Sequence, residues 1–128
     1  MKRVIAAILS IISILLIVCT AYAGTLSDPV FDSATTTLTS IKKASFSVET
    51  SSPQASISIT SVELYVMSGG AWTYVCNLPA PTKVGTNTKT FSATMDYSSY
   101  IGTGTYRLYT TFCADGYSIS RYSNTRTY

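Results

Sequence analysis

The sequence contains no histidine, and only 12% of its 128 residues are charged. Without histidine, the chain builds neither a Ser-His-Asp or Cys-His catalytic arrangement nor a histidine-ligated zinc site. Leucine is also scarce, since only five occur after Ala23, and this disfavours a helical bundle or a coiled coil. The same portion carries seven basic and six acidic residues, so its charge indicates no binding to nucleic acid or to an acidic membrane surface.

Residues that favour strands and turns are abundant instead. The 105 residues from Gly24 onward contain 36 serines and threonines and 14 aromatic residues. Because this many aromatic side chains can support a hydrophobic core, a disordered tail is disfavoured. The length is that of one domain, and the composition predicts an all-β fold.

The first 23 residues have the pattern of a signal peptide. A positively charged start precedes an apolar run over residues 4–18, and an Ala-Tyr-Ala motif ends at Ala23. We therefore expect residues 1–23 to form a signal-peptide helix, cleaved between Ala23 and Gly24. The mature protein is then secreted to the extracellular space.

Two alternatives stay open for this leader. An uncleaved transmembrane anchor needs about 20 apolar residues, and residues 4–23 reach that length. In that case the protein contacts the membrane only through this segment. A lipoprotein would instead use Cys19, although Val18 stands where such a site has a small residue.

Alternating polar and apolar residues after the leader predict about seven strands. An entry arm over residues 24–34 is followed by a β-sandwich domain over residues 35–128, with turn residues about every ten positions. Pro53 is expected to break the second strand from the third, and residues 91–95 and 106–112 to turn alternate side chains to the core. The predicted strands are Thr35–Ile41, Ala44–Thr50, Ser56–Ser68, Ala71–Asn77, Thr88–Asp96, Thr105–Cys113 and Tyr117–Ser123. This pattern predicts a single immunoglobulin-like antiparallel β-sandwich.

The dipeptide Gly69-Gly70 between two strand-like runs predicts a two-residue β-hairpin. Counting outward from this turn pairs Tyr65 with Tyr74 and Glu63 with Cys76, and it directs the intervening aliphatic side chains to the core. A slip of one residue would reverse both faces, so the register decides which side chains are exposed.

The outer face of this hairpin and of the strand over residues 105–113 is the candidate binding surface. Exposed aromatic side chains on an exported β-sandwich stack on sugar rings or anchor a protein interface, so we expect an extracellular glycan or protein as partner. The competing explanation is that cross-strand aromatic pairs only stabilise the sheet. The surface consists of Tyr65, Met67, Trp72, Tyr74, Arg107 and Tyr109.

Two cysteines, Cys76 and Cys113, remain once the leader is removed. An even number in an exported chain predicts one disulfide between them. The bridge needs Cα atoms within about 7 Å of each other, so the strand Ser56–Ser68 must not run between them at that level. The alternative is two buried free thiols that pack as small apolar residues.

The segment Gly104-Thr105-Tyr106-Arg107-Leu108 resembles the G-x-Y-x-L entry to the sixth strand of immunoglobulin-like domains. The resemblance implies that Tyr106 takes the tyrosine-corner position, with its hydroxyl bonded back to the preceding loop. The next cysteine follows Tyr106 by seven residues instead of two, so the antibody-type pattern is not met. The whole mature chain resembles small, Ser/Thr/Tyr-rich secreted proteins of unknown function from Gram-positive bacteria, a resemblance that implies no activity.

Motifs for catalysis or cofactor binding are absent from the sequence. Ser40-Ile41-Lys42-Lys43 matches Ser-x-x-Lys, but it falls at a predicted strand end, where side chains three apart point to opposite faces. The six acidic residues form no local pair for glycosidase chemistry and no Asp-rich calcium loop. We therefore predict a secreted, non-enzymatic binding module without cofactor or metal. The alternatives are a bacteriocin-like or toxin effector and an enzyme that uses only carboxylates and hydroxyls.

Overall fold

The computed structural model describes residues 28–128, and these form one curled antiparallel sheet of seven strands. The all-β class predicted from the sequence is confirmed. The predicted signal peptide, Cys19 and residues 24–27 of the entry arm lie outside the described residues. The strands are β1 (Phe31–Leu38), β2 (Lys43–Ser68), β3 (Ala71–Leu78), β4 (Gly85–Asp96), β5 (Thr105–Ala114), β6 (Tyr117–Tyr122) and β7 (Arg126–Thr127). Across the described range, no helix is long and apolar enough to span a membrane.

β2 is the strand around which the sheet is arranged. One of its edges pairs with β1 over the first half and with β5 over the second half. Its other edge pairs first with β4 and then with β3. β5 in turn carries β6 and β7 on its outer edge. All of these pairings are antiparallel, so four strands meet on a single 26-residue strand.

The predicted break at Pro53 does not occur, because β2 continues through it. The register between β2 and β4 shifts between Glu49 and Gln54, so Pro53 lies where no ladder partner on β4 is required. Thr50 is fully buried at this point, and its hydroxyl bonds the carbonyls of Ser52 and Lys89 at 2.9 and 3.1 Å. β2 therefore exchanges its partners here instead of ending.

β1 begins inside the predicted entry arm and ends three residues before the predicted position. The carboxylate of Asp28 accepts the backbone N–H groups of Val30 and Phe31 at 2.9 and 3.2 Å, and the Phe31 side chain is buried. This local turn aligns the chain with β2 from Phe31 onward. At the other end, Lys42 has a φ of 61° in the tight turn that follows Leu38. That turn stops the strand before Ile41.

The core fills the concave side of the curled sheet. Phe46 of β2 and Phe112 of β5 meet edge to face, with ring centroids 6.4 Å apart. The inward faces predicted from residues 91–95 and 106–112 are confirmed. The large apolar side chains of the core are Phe31, Leu38, Phe46, Val48, Ile57, Ile59, Val62, Leu64, Leu78, Phe91, Tyr97, Tyr106, Leu108 and Phe112.

Tyr106 makes the hydroxyl bond that its resemblance to a tyrosine corner implied. Its hydroxyl oxygen accepts the backbone N–H of Gly102 at 3.1 Å, and the side chain is buried. Gly104, between the two, has a φ of 150°, and a Cβ there would lie 3.3 Å from the Tyr106 ring. Glycine is therefore required at the point where the loop passes over the ring.

The carboxyl-terminal segment is tied to the rest of the sheet by hydrogen bonds. The backbone N–H and carbonyl of Tyr128 bond those of Gly104 at 2.8 and 3.0 Å, and the Tyr128 hydroxyl donates to the Thr39 carbonyl at 2.7 Å. The hydroxyls of Tyr97 and Tyr128 also bond each other. The last strand predicted from the sequence, Tyr117–Ser123, is confirmed as β6, and the two-residue β7 follows it.

A hydrogen bond between two buried threonines joins β1 to β5 and provides a test of the packing between these strands. The Thr36 hydroxyl donates to that of Thr110 at 3.0 Å, and both residues are buried. Thr36→Val or Thr110→Val alone should lower the free energy of unfolding by about 1–3 kcal/mol, because each leaves a buried hydroxyl unpaired. The double variant should cost less than the sum of the single variants, as measured by urea denaturation in a double-mutant cycle. Strictly additive costs would contradict the pairing.

The buried Tyr97 hydroxyl should make stability fall in alkaline solution. Burial raises the pKa of Tyr97, and the bond to Tyr128 raises it further. Unfolded tyrosine ionises near pH 10, whereas folded Tyr97 stays protonated, so its contribution is complete below that pH and is lost above it. Urea denaturation between pH 9 and 11 should show a shallower loss of stability for Tyr97→Phe than for the natural protein. Tyr117→Phe, at an exposed position, is the control and should keep the steeper loss.

Candidate binding face

The hairpin between β2 and β3 forms as the sequence predicts at its turn end. Gly69 and Gly70 have φ values of 59° and 80°, which a two-residue turn of this kind requires. Met67 lies opposite Trp72, and Tyr65 lies opposite Tyr74. This part of the register is confirmed, so the aromatic residues of the two strands share the outer face.

Beyond Tyr74 the register differs from the prediction because of a bulge. The pairing shifts between Leu64 and Tyr65, so Val75 is the extra residue of β3. One extra residue reverses every later side chain of that strand. Cys76 therefore lies opposite Leu64 instead of Glu63 and packs against the core, while Val75 is 43% exposed.

The predicted disulfide is not formed, and Cys76 and Cys113 are free thiols. β2 runs between them, with Cys76 opposite Leu64 on one edge and Cys113 opposite Ser58 on the other. Six residues of β2 separate these positions, or about 20 Å along the strand. The bulge has also turned Cys76 toward the core, whereas Cys113 lies on the outer face with Arg107 and Tyr109, so no bridge can close.

We use the name aromatic face for the outer surface that β2, β3, β5 and β6 build together. The structure brings together there all six residues of the candidate binding surface, and it adds Tyr122 of β6, which lies opposite Tyr109. Sequence reasoning missed Tyr122, although the dipeptide Asp115-Gly116 was an available signal. A two-residue turn there pairs Ala114 with Tyr117, and counting outward from it places Tyr122 opposite Tyr109. The aromatic face consists of Tyr65, Met67, Trp72, Tyr74, Arg107, Tyr109 and Tyr122.

Arg107 lies at the centre of this face, stacked between two rings. Its guanidinium carbon is 4.3 Å from the centroid of the Trp72 ring and 3.9 Å from that of the Tyr122 ring. Trp72 comes from β3 and Tyr122 from β6, so the stack crosses the intervening β2 and β5. Each cation–π contact contributes about 0.5–1 kcal/mol at an exposed site, which fixes the position of the arginine.

Tyrosine rings continue the stack across the sheet. Tyr65 meets Tyr74 and Tyr122 edge to face, with centroid distances of 5.8 and 6.2 Å, and Tyr109 lies 4.5 Å from Tyr122. Aromatic pairs in these arrangements add about 0.5–1.5 kcal/mol beyond the burial of their surface. The rings are therefore held in fixed positions before any ligand arrives.

Two tyrosine hydroxyls on the aromatic face bond polar neighbours. The Tyr65 hydroxyl donates to a carboxylate oxygen of Glu63 at 3.0 Å, and this bond raises the pKa of Tyr65. The Tyr74 hydroxyl donates to the side-chain oxygen of Asn77 at 2.9 Å. Both bonds run along a strand, so they hold each ring along the surface of the sheet.

The aromatic face remains open to solvent in the described part of the chain. Tyr74 and Tyr122 are each 51% exposed and Met67 is 39% exposed. Trp72, the only tryptophan, is half-buried, and so are Tyr65, Arg107 and Tyr109. The face thus presents ring surface, a thioether and a guanidinium to whatever approaches it.

A hollow at the other end of the sheet, over β2 and β4, is the second candidate for a binding site. It measures ≈650 Å³, with a floor of hydroxyl side chains from β2 and β4 and a wall formed by residues 81–83. The Lys83 ammonium donates to the Ser92 carbonyl at 2.6 Å and closes one side. Among residues 28–128, no three histidine, cysteine, aspartate or glutamate residues lie close enough to hold a metal ion. This hollow brings together no acid–base or metal-binding set.

Neither the scan against protein-family models nor the search of curated proteins returned a match.

The state of the two thiols is directly measurable. The geometry predicts that unfolded, unreduced protein takes up one alkyl group at Cys76 and one at Cys113, because no bridge protects them. Peptide mass mapping after alkylation in denaturant gives the answer, and the same sample reduced beforehand is the control. Labelling of these peptides that appears only after reduction would contradict the structure.

Proposed function

We propose that the protein is a secreted, non-enzymatic binding module that engages an extracellular glycan through the aromatic face. The observation that carries this proposal is the gathering of five aromatic rings, a methionine and an arginine from four strands onto one exposed surface. Flat ring faces next to hydrogen-bonding groups suit a sugar, which offers C–H surfaces surrounded by hydroxyls.

The outer surface of the sheet differs in composition between its two ends. This difference supports a role for the aromatic face beyond stabilising the sheet. Where β1, β2 and β4 lie side by side, the outward residues are mainly serine and threonine, such as Thr35, Ser47 and Ser92. The same sheet is therefore built without aromatic residues on that surface. Cross-strand pairing explains why the rings are ordered, but it does not explain why they are confined to one end of the sheet.

The size of the aromatic face favours a glycan over a folded protein. The four strands span about 14 Å across the face, and the stretch of β2 from Glu63 to Met67 spans about 13 Å along it. A protein interface buries about 800 Å² on each partner, so a protein would have to extend well beyond this patch onto the surrounding serine and threonine side chains. A short stretch of oligosaccharide fits this footprint, and polar groups such as Asn77 and Glu63 lie at its margin for its hydroxyls.

The remaining parts of the proposal rest on the sequence. The chain has no histidine for the common hydrolytic mechanisms, and its leader has the pattern of an export signal. We also propose that the curled sheet corresponds to an immunoglobulin-like sandwich. The Tyr106–Gly102 bond and the contact between Phe46 and Phe112 across the core support this assignment.

Removing the ring surfaces should abolish binding without unfolding the domain. Trp72→Ala and Tyr74→Ala should each weaken retention on purified cell-wall and extracellular polysaccharides at least tenfold, because each removes a stacking surface. Affinity chromatography and a glycan array measure retention, and circular dichroism checks the fold.

Tyr117→Ala is the matched control for these variants. Tyr117 is an exposed tyrosine at the far end of β5 and β6, opposite Ala114, seven residues from the level of Arg107. It should bind as the natural protein does. The proposal fails if Trp72→Ala and Tyr74→Ala unfold the domain, since the two side chains are then core residues. Retention equal to that of Tyr117→Ala would also refute it.

A further inference from the structure

Arg107 is the one positively charged residue of the aromatic face, and its guanidinium is held in place before binding. Trp72 and Tyr122 contact it on both sides, at 4.3 and 3.9 Å from the ring centroids. An arginine on an exposed strand ordinarily samples many rotamers, and ordering it on binding costs free energy. Here the two rings have already restricted it, so a ligand group that pairs with it bears less of that cost.

The hydrogen-bonding capacity of Arg107 is largely unused by the protein. Its Nε is enclosed and has no hydrogen-bond partner. No hydrogen bond or ion pair joins its guanidinium to another residue in the range 28–128. A guanidinium has five N–H donors in a planar fork, and with Nε enclosed the four donors on the two Nη atoms are those that a ligand can meet. The stack thus fixes a cation without neutralising it.

The acid nearest in the register does not serve as the partner. Glu63 lies opposite Tyr109, which is two residues along β5 from Arg107. Arg107 itself lies opposite Tyr65. The Glu63 carboxylate instead accepts the Tyr65 hydroxyl at 3.0 Å. Glu63 and Arg107 are the charged side chains of this outer face, so an incoming anion meets a prepared donor and one carboxylate beside it.

We infer that Arg107 selects an acidic glycan, through a carboxylate or sulfate group on one of its sugars, an inference that rests on the proposed function of the aromatic face. The guanidinium fork matches two oxygens of such a group, and charge-assisted bonds of this kind are stronger than neutral ones. Sugar rings stack on Tyr74, Trp72 and their neighbours while the acidic group docks on Arg107. The same small footprint that disfavours a folded protein favours a glycan as the source of the anion.

The test compares acidic and neutral glycans on the natural protein and on three variants. A glycan array carries uronic-acid and sulfated oligosaccharides, the same oligosaccharides with their carboxylates esterified or their sulfates removed, and a poly-glutamate peptide. Arg107→Met removes the charge at similar length, Arg107→Lys keeps the charge but loses the fork, and Glu63→Gln removes the neighbouring carboxylate. Thermal unfolding by circular dichroism establishes that each variant is folded.

The inference predicts preference for the acidic member of each matched glycan pair. Arg107→Met should weaken binding of that member about tenfold or more, Arg107→Lys should weaken it less, and Glu63→Gln should strengthen it a few-fold. The quantity compared is the ratio of acidic to neutral binding, which should fall in Arg107→Met, fall less in Arg107→Lys and rise in Glu63→Gln. If Arg107→Met does not fold, the Arg107→Lys and Glu63→Gln comparisons carry the test, because both keep a cation in the stack.

The other outcomes separate the inference from the proposed function. Equal binding of acidic and neutral members, with a ratio that Arg107→Met does not alter, would overturn the inference and leave the proposed function standing. Retention of poly-glutamate without any glycan would assign the anion to a peptide and overturn both. Binding of nothing on the array, by natural protein of demonstrated fold, would overturn the proposed function and the inference with it.

Discussion

The backbone hydrogen bonding of β2 is the constraint on which the rest of the structure depends. Four of the other six strands pair directly with β2, and the remaining two reach it through β5. The strand serves both halves of the sheet only because it changes partners between Glu49 and Gln54 without ending. The buried Thr50 hydroxyl bonds two carbonyls at that point, where the ladder is irregular. A single continuous strand thus links the hydroxyl-rich surface to the aromatic face.

Period-two alternation predicted most of the sheet from the sequence. It identified the inward faces of β4 and β5 and the outward position of Tyr65 and Tyr74, because turn chemistry at Gly69-Gly70 sets that register locally. The strand break predicted at Pro53 does not form, since proline is excluded from ladder positions but not from a shift in register. The bulge at Val75 has no local sequence signal, and it alone reversed the predicted side of Cys76.

The candidate site combines residues whose positions are set by local sequence signals with contacts that only the folded sheet brings together. Six of its residues lie near the hairpin turn or in β5, where alternation is regular, and they were identified from the sequence. The seventh, Tyr122, follows from an equally local signal that was not extended to β6: the two-residue turn at Asp115-Gly116, with φ values of 45° and 84°, sets its register on β5. The stacking of Arg107 between Trp72 and Tyr122 joins residues 50 positions apart along the chain. No pattern within one strand encodes such a contact.

The separation of the two thiols by β2 has a consequence for how the chain folds. No covalent cross-link between strands is needed to reach the native pairing, so folding involves no oxidation step and no reshuffling of a wrong bridge. The same fold is therefore open to residues 28–128 in reducing and in oxidising surroundings. Non-covalent contacts alone hold the described strands together, so a reducing agent has no bond between them to break.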